Sequence, residues 1–137
     1  MSIARCYSFI GKNILRYNYA ISDLINGANI MNIIKLNSKI NVYRSYMHSD
    51  DMSKWLITIV KNSTRKCPIY NVGSDKAINL KNLTKKIGRM VNKKILIKTK
   101  KSKFFDYYVP STARAYKKLN LKISINLNDA LNSIIRV

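Results

Sequence analysis

The residues that first invite a chemical reading are the single histidine, His48, and the carboxylate pair Asp50 and Asp51 just after it. An imidazole can pass protons near neutral pH, and two carboxylates in one site can divide into acid and base. The spacing argues against both. Asp50 and Asp51 are adjacent at the start of a helical pattern and face different sides of it, so capping and helix-dipole complementarity explain them better than acid–base work. His48 has no nucleophilic Ser or Cys in a recognisable setting, which leaves an acyl-transfer triad without support. Cys6 and Cys67 lack metal-ligand spacing and read as two thiols in a reducing compartment. Gly11, Gly27, Gly73 and Gly88 are too scattered to form a dinucleotide or phosphate loop. No Tyr is followed four residues later by Lys. The residues therefore assign no catalytic group and no metal site.

The elements around these residues read as mixed α/β. Ser2 to Ile10 reads as a short strand closed by Gly11. Tyr19 to Ala28 carries helical spacing at Ala20, Ile21, Leu24, Ile25 and Ala28, ended by Asn26-Gly27. Ile30 to Leu36 and Val42 to Met47 read as two extended stretches joined as a hairpin. The clearest helix follows, with Ser49 as N-cap and Met52, Trp55, Leu56, Ile59 and Val60 on one apolar stripe. Pro68 to Val72 is a short strand, and Asn79 caps a helix through Leu80, Leu83, Ile87 and Met90. Ile95 and Ile97 alternate with Lys in a half-buried strand over Lys94 to Thr99. Phe104 to Tyr108 is extended and aromatic. Two short helices close the chain, Thr112 to Leu119 and Asn126 to Ile135. Tyr46 and Trp55 are best read as core. No repeat or linker divides the 137 residues, so 1–137 is expected to be a single domain.

The charge is extreme. Lys and Arg number 26 against six acids, all of them Asp, for a net charge of +20. Basic side chains release counterions from phosphate and bind it in a salt-dependent way. Here the cations are spread along the chain, and no finger spacing, recognition helix or aromatic RNA-binding motif accompanies them. Ile, Asn, Lys and Tyr are abundant while Gly, Pro, Ala and Glu are scarce; AT-rich codons fit the abundant four but would not exclude Glu. A solvated, compositionally biased surface is the preferred reading, with weak non-specific nucleic-acid binding at most; a small basic nucleic-acid-binding protein is the alternative. The apolar runs are only a few residues long, so no membrane span is expected. The first residues lack the pattern of a signal peptide.

Three motifs in order carry a resemblance. Tyr43-Arg44-Ser45-Tyr46-Met47-His48-Ser49-Asp50-Asp51-Met52 comes first, followed by Pro68-Ile69-Tyr70-Asn71-Val72-Gly73-Ser74-Asp75. The third is Tyr108-Val109-Pro110-Ser111 with Ala115-Tyr116-Lys117-Lys118-Leu119. With the opening Ala4 to Gly11, the series resembles the extended short-chain dehydrogenase/reductase family, the NAD(P)-dependent epimerases and dehydratases of nucleotide sugars. The likeness covers the C-terminal part of such an enzyme and nearly all of this chain.

The resemblance implies an α/β fold: the C-terminal substrate-binding portion of an extended Rossmann-type enzyme, with short mixed strands and about five helices. One residual Rossmann strand is implied near the N-terminus. It further implies that Arg44 contacts the nucleotide diphosphate, that Asn71 lies near the same nucleotide, and that Tyr108 edges the pocket. The helix from Ser49 to Asn62 is expected to bring the strands of Arg44 and Asn71 into one cleft. The family's cofactor loop and its Tyr-x-x-x-Lys pair are absent from this sequence, so no cofactor is assigned to this chain, NAD(P) being implied for the complete enzyme. The implied partners are a nucleotide-sugar substrate, a separate N-terminal cofactor-binding half, and a second copy in a homodimer. The implied setting is cytoplasmic synthesis of precursors for surface polysaccharide such as lipopolysaccharide, by a truncated or split-gene product inactive alone.

Overall fold

A computed structural model of the chain describes residues 1–12, 19–99 and 102–135. Local sequence explains most of its helices. Helix α1 spans Ala20–Asn29 and buries Ile21, Leu24, Ile25 and Ala28, the residues whose helical spacing marks its inner face. Helix α2 covers Ser49–Lys61. Its N-cap is His48 rather than Ser49. His48 has the extended backbone that a cap needs (φ −67°, ψ 145°), and its Nδ1 accepts from the Asp50 N–H at 3.2 Å. The apolar stripe of α2 is also narrower than its spacing suggests. Trp55 and Ile59 are buried, whereas Val60 is 70% exposed.

Helix α3, Leu80–Met90, starts as expected: Asn79 Oδ1 accepts from the Lys81 N–H at 2.9 Å. It buries Leu80, Leu83 and Ile87. Helix α4, Ala113–Leu119, stops at Asn120, whose left-handed backbone (φ 51°) supplies a common helix C-terminal geometry. Helix α5, Leu127–Asn132, is capped by Asn126, which accepts from the N–H groups of Asn128 and Asp129.

Among the described residues the strands form four small sheets. The opening stretch divides into β1 (Ile3–Cys6) and β2 (Phe9–Ile10). β1 pairs in parallel with β6 (Ile69–Val72), and β2 in parallel with β5 (Met47–His48). β3 (Ile33–Ser38) lies parallel to β8 (Lys94–Thr99), with Ile34 opposite Ile95 and Leu36 opposite Ile97. The last sheet has the order β7 (Ile78–Asn79), β4 (Asn41–Arg44), β9 (Phe105–Tyr108).

This topology corrects the hairpin expected from the two extended stretches. β3 and β4 belong to different sheets. Adjacency in sequence favours a hairpin, but the inner face of β3 needs an apolar neighbour, and β8 supplies one with Ile95 and Ile97 against Ile34 and Leu36. Two buried clusters result. One gathers α1, α3, α5 and β3 around Leu24, Ile25, Leu83 and Leu131. The other packs Trp55 and Ile59 of α2 against Met47, Tyr70 and Val72. Tyr46 and Trp55 are both core residues, as expected. Among the described residues, no helix is long and apolar enough to cross a membrane.

Candidate functional site

Arg44 ends β4, flanked in register by Tyr108 of β9 on one side and Ile78 of β7 on the other. Its guanidinium is held by three contacts. Nη1 donates to the Tyr43 carbonyl at 2.8 Å, Nη2 donates to Asp106 Oδ2 at 2.5 Å, and Cζ stands 5.8 Å from the Tyr108 ring centre. The side chain remains 24% exposed, so the fork is fixed yet reachable. Its hydrogen bond and charge hold the Asp106 carboxyl below the ordinary carboxylate range.

Tyr108 is half exposed, and its ring packs on Tyr7 with centres 4.8 Å apart. Tyr7 belongs to the turn between β1 and β2, and its N–H donates to the Val72 carbonyl at 3.0 Å. The next residue, Gly73, makes this crossing feasible. A Cβ there would lie 3.0 Å from Pro110 and 3.1 Å from Tyr7. Asn71 lies just before, and its Nδ2 donates to the Ser111 carbonyl at 2.9 Å. Arg5 is its register partner across β1 and β6, so both side chains stand on one face of that pair.

Arg44 and Tyr108 are thus in direct contact, and Tyr7 and the 108–111 segment lead from them to Asn71. The strands do not meet as the crossover argument expected. Arg44 sits in the β7–β4–β9 sheet and Asn71 in the β1–β6 sheet. The chain breaks at Ser45-Tyr46 after β4, and the short strand that resumes, β5, pairs with β2 instead. Asp106, Tyr7 and Arg5 escaped the sequence reading. Asp106 alone left a signal, as the one acid between Asp75 and Asp129 in a strongly basic stretch.

Two other constellations lead away from catalysis. His48 Nε2 approaches Ser133 Oγ at 3.4 Å, and Asp50 Oδ2 lies 3.7 Å from His48 Nδ1. The Asp–His–Ser order resembles a triad, but the tautomer is wrong. Nδ1 accepts from a backbone N–H, so the neutral ring carries its proton on Nε2 and cannot take one from Ser133, which itself donates to the Ala130 carbonyl. Asp51 is not a cap. It is buried, and its carboxylate accepts from the Ser124 N–H, the Ser124 hydroxyl and the Ile125 N–H, tying α2 to the segment that leads into α5. Among the described residues no group of three or more His, Cys, Asp or Glu could hold a metal ion. A Cβ on Gly27, Gly73 or Gly88 would meet protein atoms, so these glycines do not fit a dinucleotide cradle.

No family model and no curated protein matches the sequence. The fold, by contrast, is similar to part of several solved sugar-nucleotide epimerases and dehydratases. MoeE5 in complex with UDP-glucuronic acid and NAD superposes with a TM-score of 0.80 at 15% identity, over 96% of this chain and 44% of MoeE5. The UDP-glucose 4-epimerase of Thermotoga maritima with UDP-glucose gives 0.81 at 13% identity, over 98% of this chain and 44% of that one. TunA, an NAD-dependent NDP-hexosamine 5,6-dehydratase of tunicamycin biosynthesis, gives 0.78 at 14%, with 98% and 44% covered. The chain therefore spans less than half the length of these structures, and its described residues show the mixed α/β architecture and five helices, where the resemblance implied about five.

Proposed function

We propose that this chain is the C-terminal, substrate-facing portion of an NAD(P)-dependent nucleotide-sugar epimerase or dehydratase that serves synthesis of surface polysaccharide precursors. The observation that carries this reading is the fixed, reachable guanidinium of Arg44, beside the exposed ring of Tyr108, on a fold whose structural neighbours include complexes with UDP-sugars and NAD. A guanidinium fork matches phosphate oxygens in two parallel hydrogen bonds. An aromatic face at its side can cover a ligand's apolar surface. Asn71 adds an amide on the neighbouring sheet. These groups bind and orient; none of them is placed to move a proton or accept a hydride. The acid–base Tyr and its Lys, with the cofactor loop, belong in this reading to an N-terminal half.

The test is to supply that half. The chain is fused behind a cofactor-binding half that carries the glycine-rich loop and Tyr-x-x-x-Lys, and UDP-glucose is titrated into the NADH-loaded fusion. Saturable binding by the fusion, with little by the cofactor half alone, is the expected result. A folded fusion that holds NADH but gains no UDP-glucose affinity would overturn the reading.

A further inference from the structure

A groove of about 740 Å³ runs between α3 and α5. From α3 it is lined by Asn82, Lys85, Lys86 and Arg89, and from α5 by Asn128 and Asn132. The remaining lining is apolar, Ile78 and Met90. We propose that this groove is a second anion site, distinct from Arg44, which takes a ligand through two or more of its phosphate groups.

The spacing is the first argument. Lys85 and Arg89 are four residues apart on one helix, as are Asn128 and Asn132 on the other, so each pair shares a helix face. A row of cations on one helix thus borders the same groove as a row of carboxamides on the other. All these groups carry N–H donors, and Arg89 offers the planar fork that phosphate accepts in bidentate fashion. Like charges at this spacing destabilise a helix, and although the C-terminal end of the helix dipole favours Arg89, no carboxylate offsets them. No Asp lines the groove. Unlike Arg44, none of its three cations has a carboxylate partner among the described residues. Asp129, on α5, is taken by the Asn126 side chain at 2.7 Å.

The chemistry also limits the ligand. No aromatic side chain lines the groove, so base stacking of the kind that single-strand binders use is not provided. Recognition falls on the phosphates themselves. A small diphosphate-bearing metabolite and a nucleic-acid backbone share that chemistry, and the experiment separates them.

Inorganic pyrophosphate is titrated calorimetrically into the full chain at low salt, and then a short single-stranded oligonucleotide of mixed sequence is used as competitor. Saturable pyrophosphate binding is expected. Because Arg44 also offers a fork to phosphate, the groove is read in the Arg44→Ala background, where binding should remain and should weaken about tenfold when Lys85→Ala/Arg89→Ala is added. Both substituted groove positions are exposed, and Ala favours the helix, so an unchanged circular dichroism spectrum verifies the fold. Competition by the oligonucleotide assigns the site to a nucleic-acid backbone, whereas pyrophosphate binding that resists it assigns the site to a small phosphate ligand. Either supports the proposal. Absence of saturable binding by both probes, equal affinity after Lys85→Ala/Arg89→Ala is added, or loss of binding in Arg44→Ala alone overturns it.

Discussion

Arg44 and Asp106 are 62 residues apart in sequence, yet Arg44 Nη2 donates to Asp106 Oδ2 at 2.5 Å. The pair is diagonal. Arg44 faces Tyr108 in register, and Asp106 faces Val42, two residues back on the same strand, within reach of a long side chain. Both terminal nitrogens of the guanidinium are therefore engaged before any ligand arrives, Nη1 by the Tyr43 carbonyl and Nη2 by Asp106, with further N–H groups left over, and the strand that carries Tyr108 is anchored to the one that carries Arg44.

This pair gives the fold a pH dependence with a definite sign. The folded state holds the Asp106 carboxyl below its ordinary value of 3.8, so the stabilisation is present above that value and fades as pH falls through the lowered one. The carboxylate is solvent-exposed and the effect is small. Urea denaturation should show the wild-type chain more stable than Asp106→Asn at neutral pH, with the difference gone in strong acid. A difference that grows on acidification would contradict the assignment.

Tyr46 acts at the other end of the scale. Burial pushes its phenol up to about 12, with Arg44 opposing the rise. The folded chain keeps this proton while the unfolded chain releases it near 10, so stability is full below that pH and declines as pH climbs toward about 12. The loss should reach roughly 2–3 kcal/mol. Spectrophotometric titration should show a late phenol that is absent in Tyr46→Phe.

Gly88 tests packing against propensity. In an open helix, Gly→Ala stabilises by about 1 kcal/mol. Here a Cβ would meet Ile95 Cγ2 at 2.4 Å, far inside contact distance, and the helix would have to move off β8. Gly88→Ala should destabilise by about 1–3 kcal/mol in thermal or urea unfolding, and Gly88→Ala/Ile95→Ala should differ from Ile95→Ala alone by much less. A stabilised single variant would show that α3 and β8 are looser than their spacing indicates.

Asp51 is tested by removing first its charge and then its acceptors. Asp51→Asn can keep its oxygen on the Ser124 and Ile125 N–H groups and turn its amide to the Ser124 hydroxyl, so it loses only the charge, whereas Asp51→Leu leaves these donors unmatched at a cost of about 1–3 kcal/mol. Hydrogen exchange at the Ser124 and Ile125 amides should accelerate in Asp51→Leu. Unchanged protection there would mean that the carboxylate does not hold this segment.

The roles of Asp51 and Asp106 also mark where the sequence stops being readable. The buried faces of α1, α2 and α3 follow apolar periodicity, and the Asn79 cap follows local chemistry, so all were legible. Strand partners were not. β3 seeks β8 and β4 seeks β9, both distant in sequence, and nothing local in Ile33 to Arg44 distinguishes those pairings from a hairpin. Arg44, Asn71 and Tyr108 were picked out through their motifs, but the partners of Arg44 and Asn71, Asp106 and Ser111, exist only once distant strands are assembled. Asp51 looked like a helix-start acid because its clients, Ser124 and Ile125, lie far along the chain.

The Arg44 reading has its sharpest test in three variants of the fusion with a cofactor half, two at Arg44 and one, of opposite effect, at Asp106. Arg44→Ala removes a charge-assisted, bidentate-capable donor, worth roughly 1.5–3 kcal/mol, and should weaken UDP-glucose binding about tenfold to hundredfold. Arg44→Lys should recover only part of this, since an ammonium lacks the planar fork. Asp106→Asn should move affinity the other way. The neutral amide competes less strongly than a carboxylate for Nη2, leaving more of the fork for phosphate, while the Tyr108 ring still flanks it. Isothermal titration of the three variants against the parent measures all of these. If Arg44→Ala binds as the parent does, the guanidinium serves only to pin β9 through Asp106. If Asp106→Asn weakens binding as much as Arg44→Ala, the two residues act as one positioned unit, and the carboxylate aims the fork rather than occupying it.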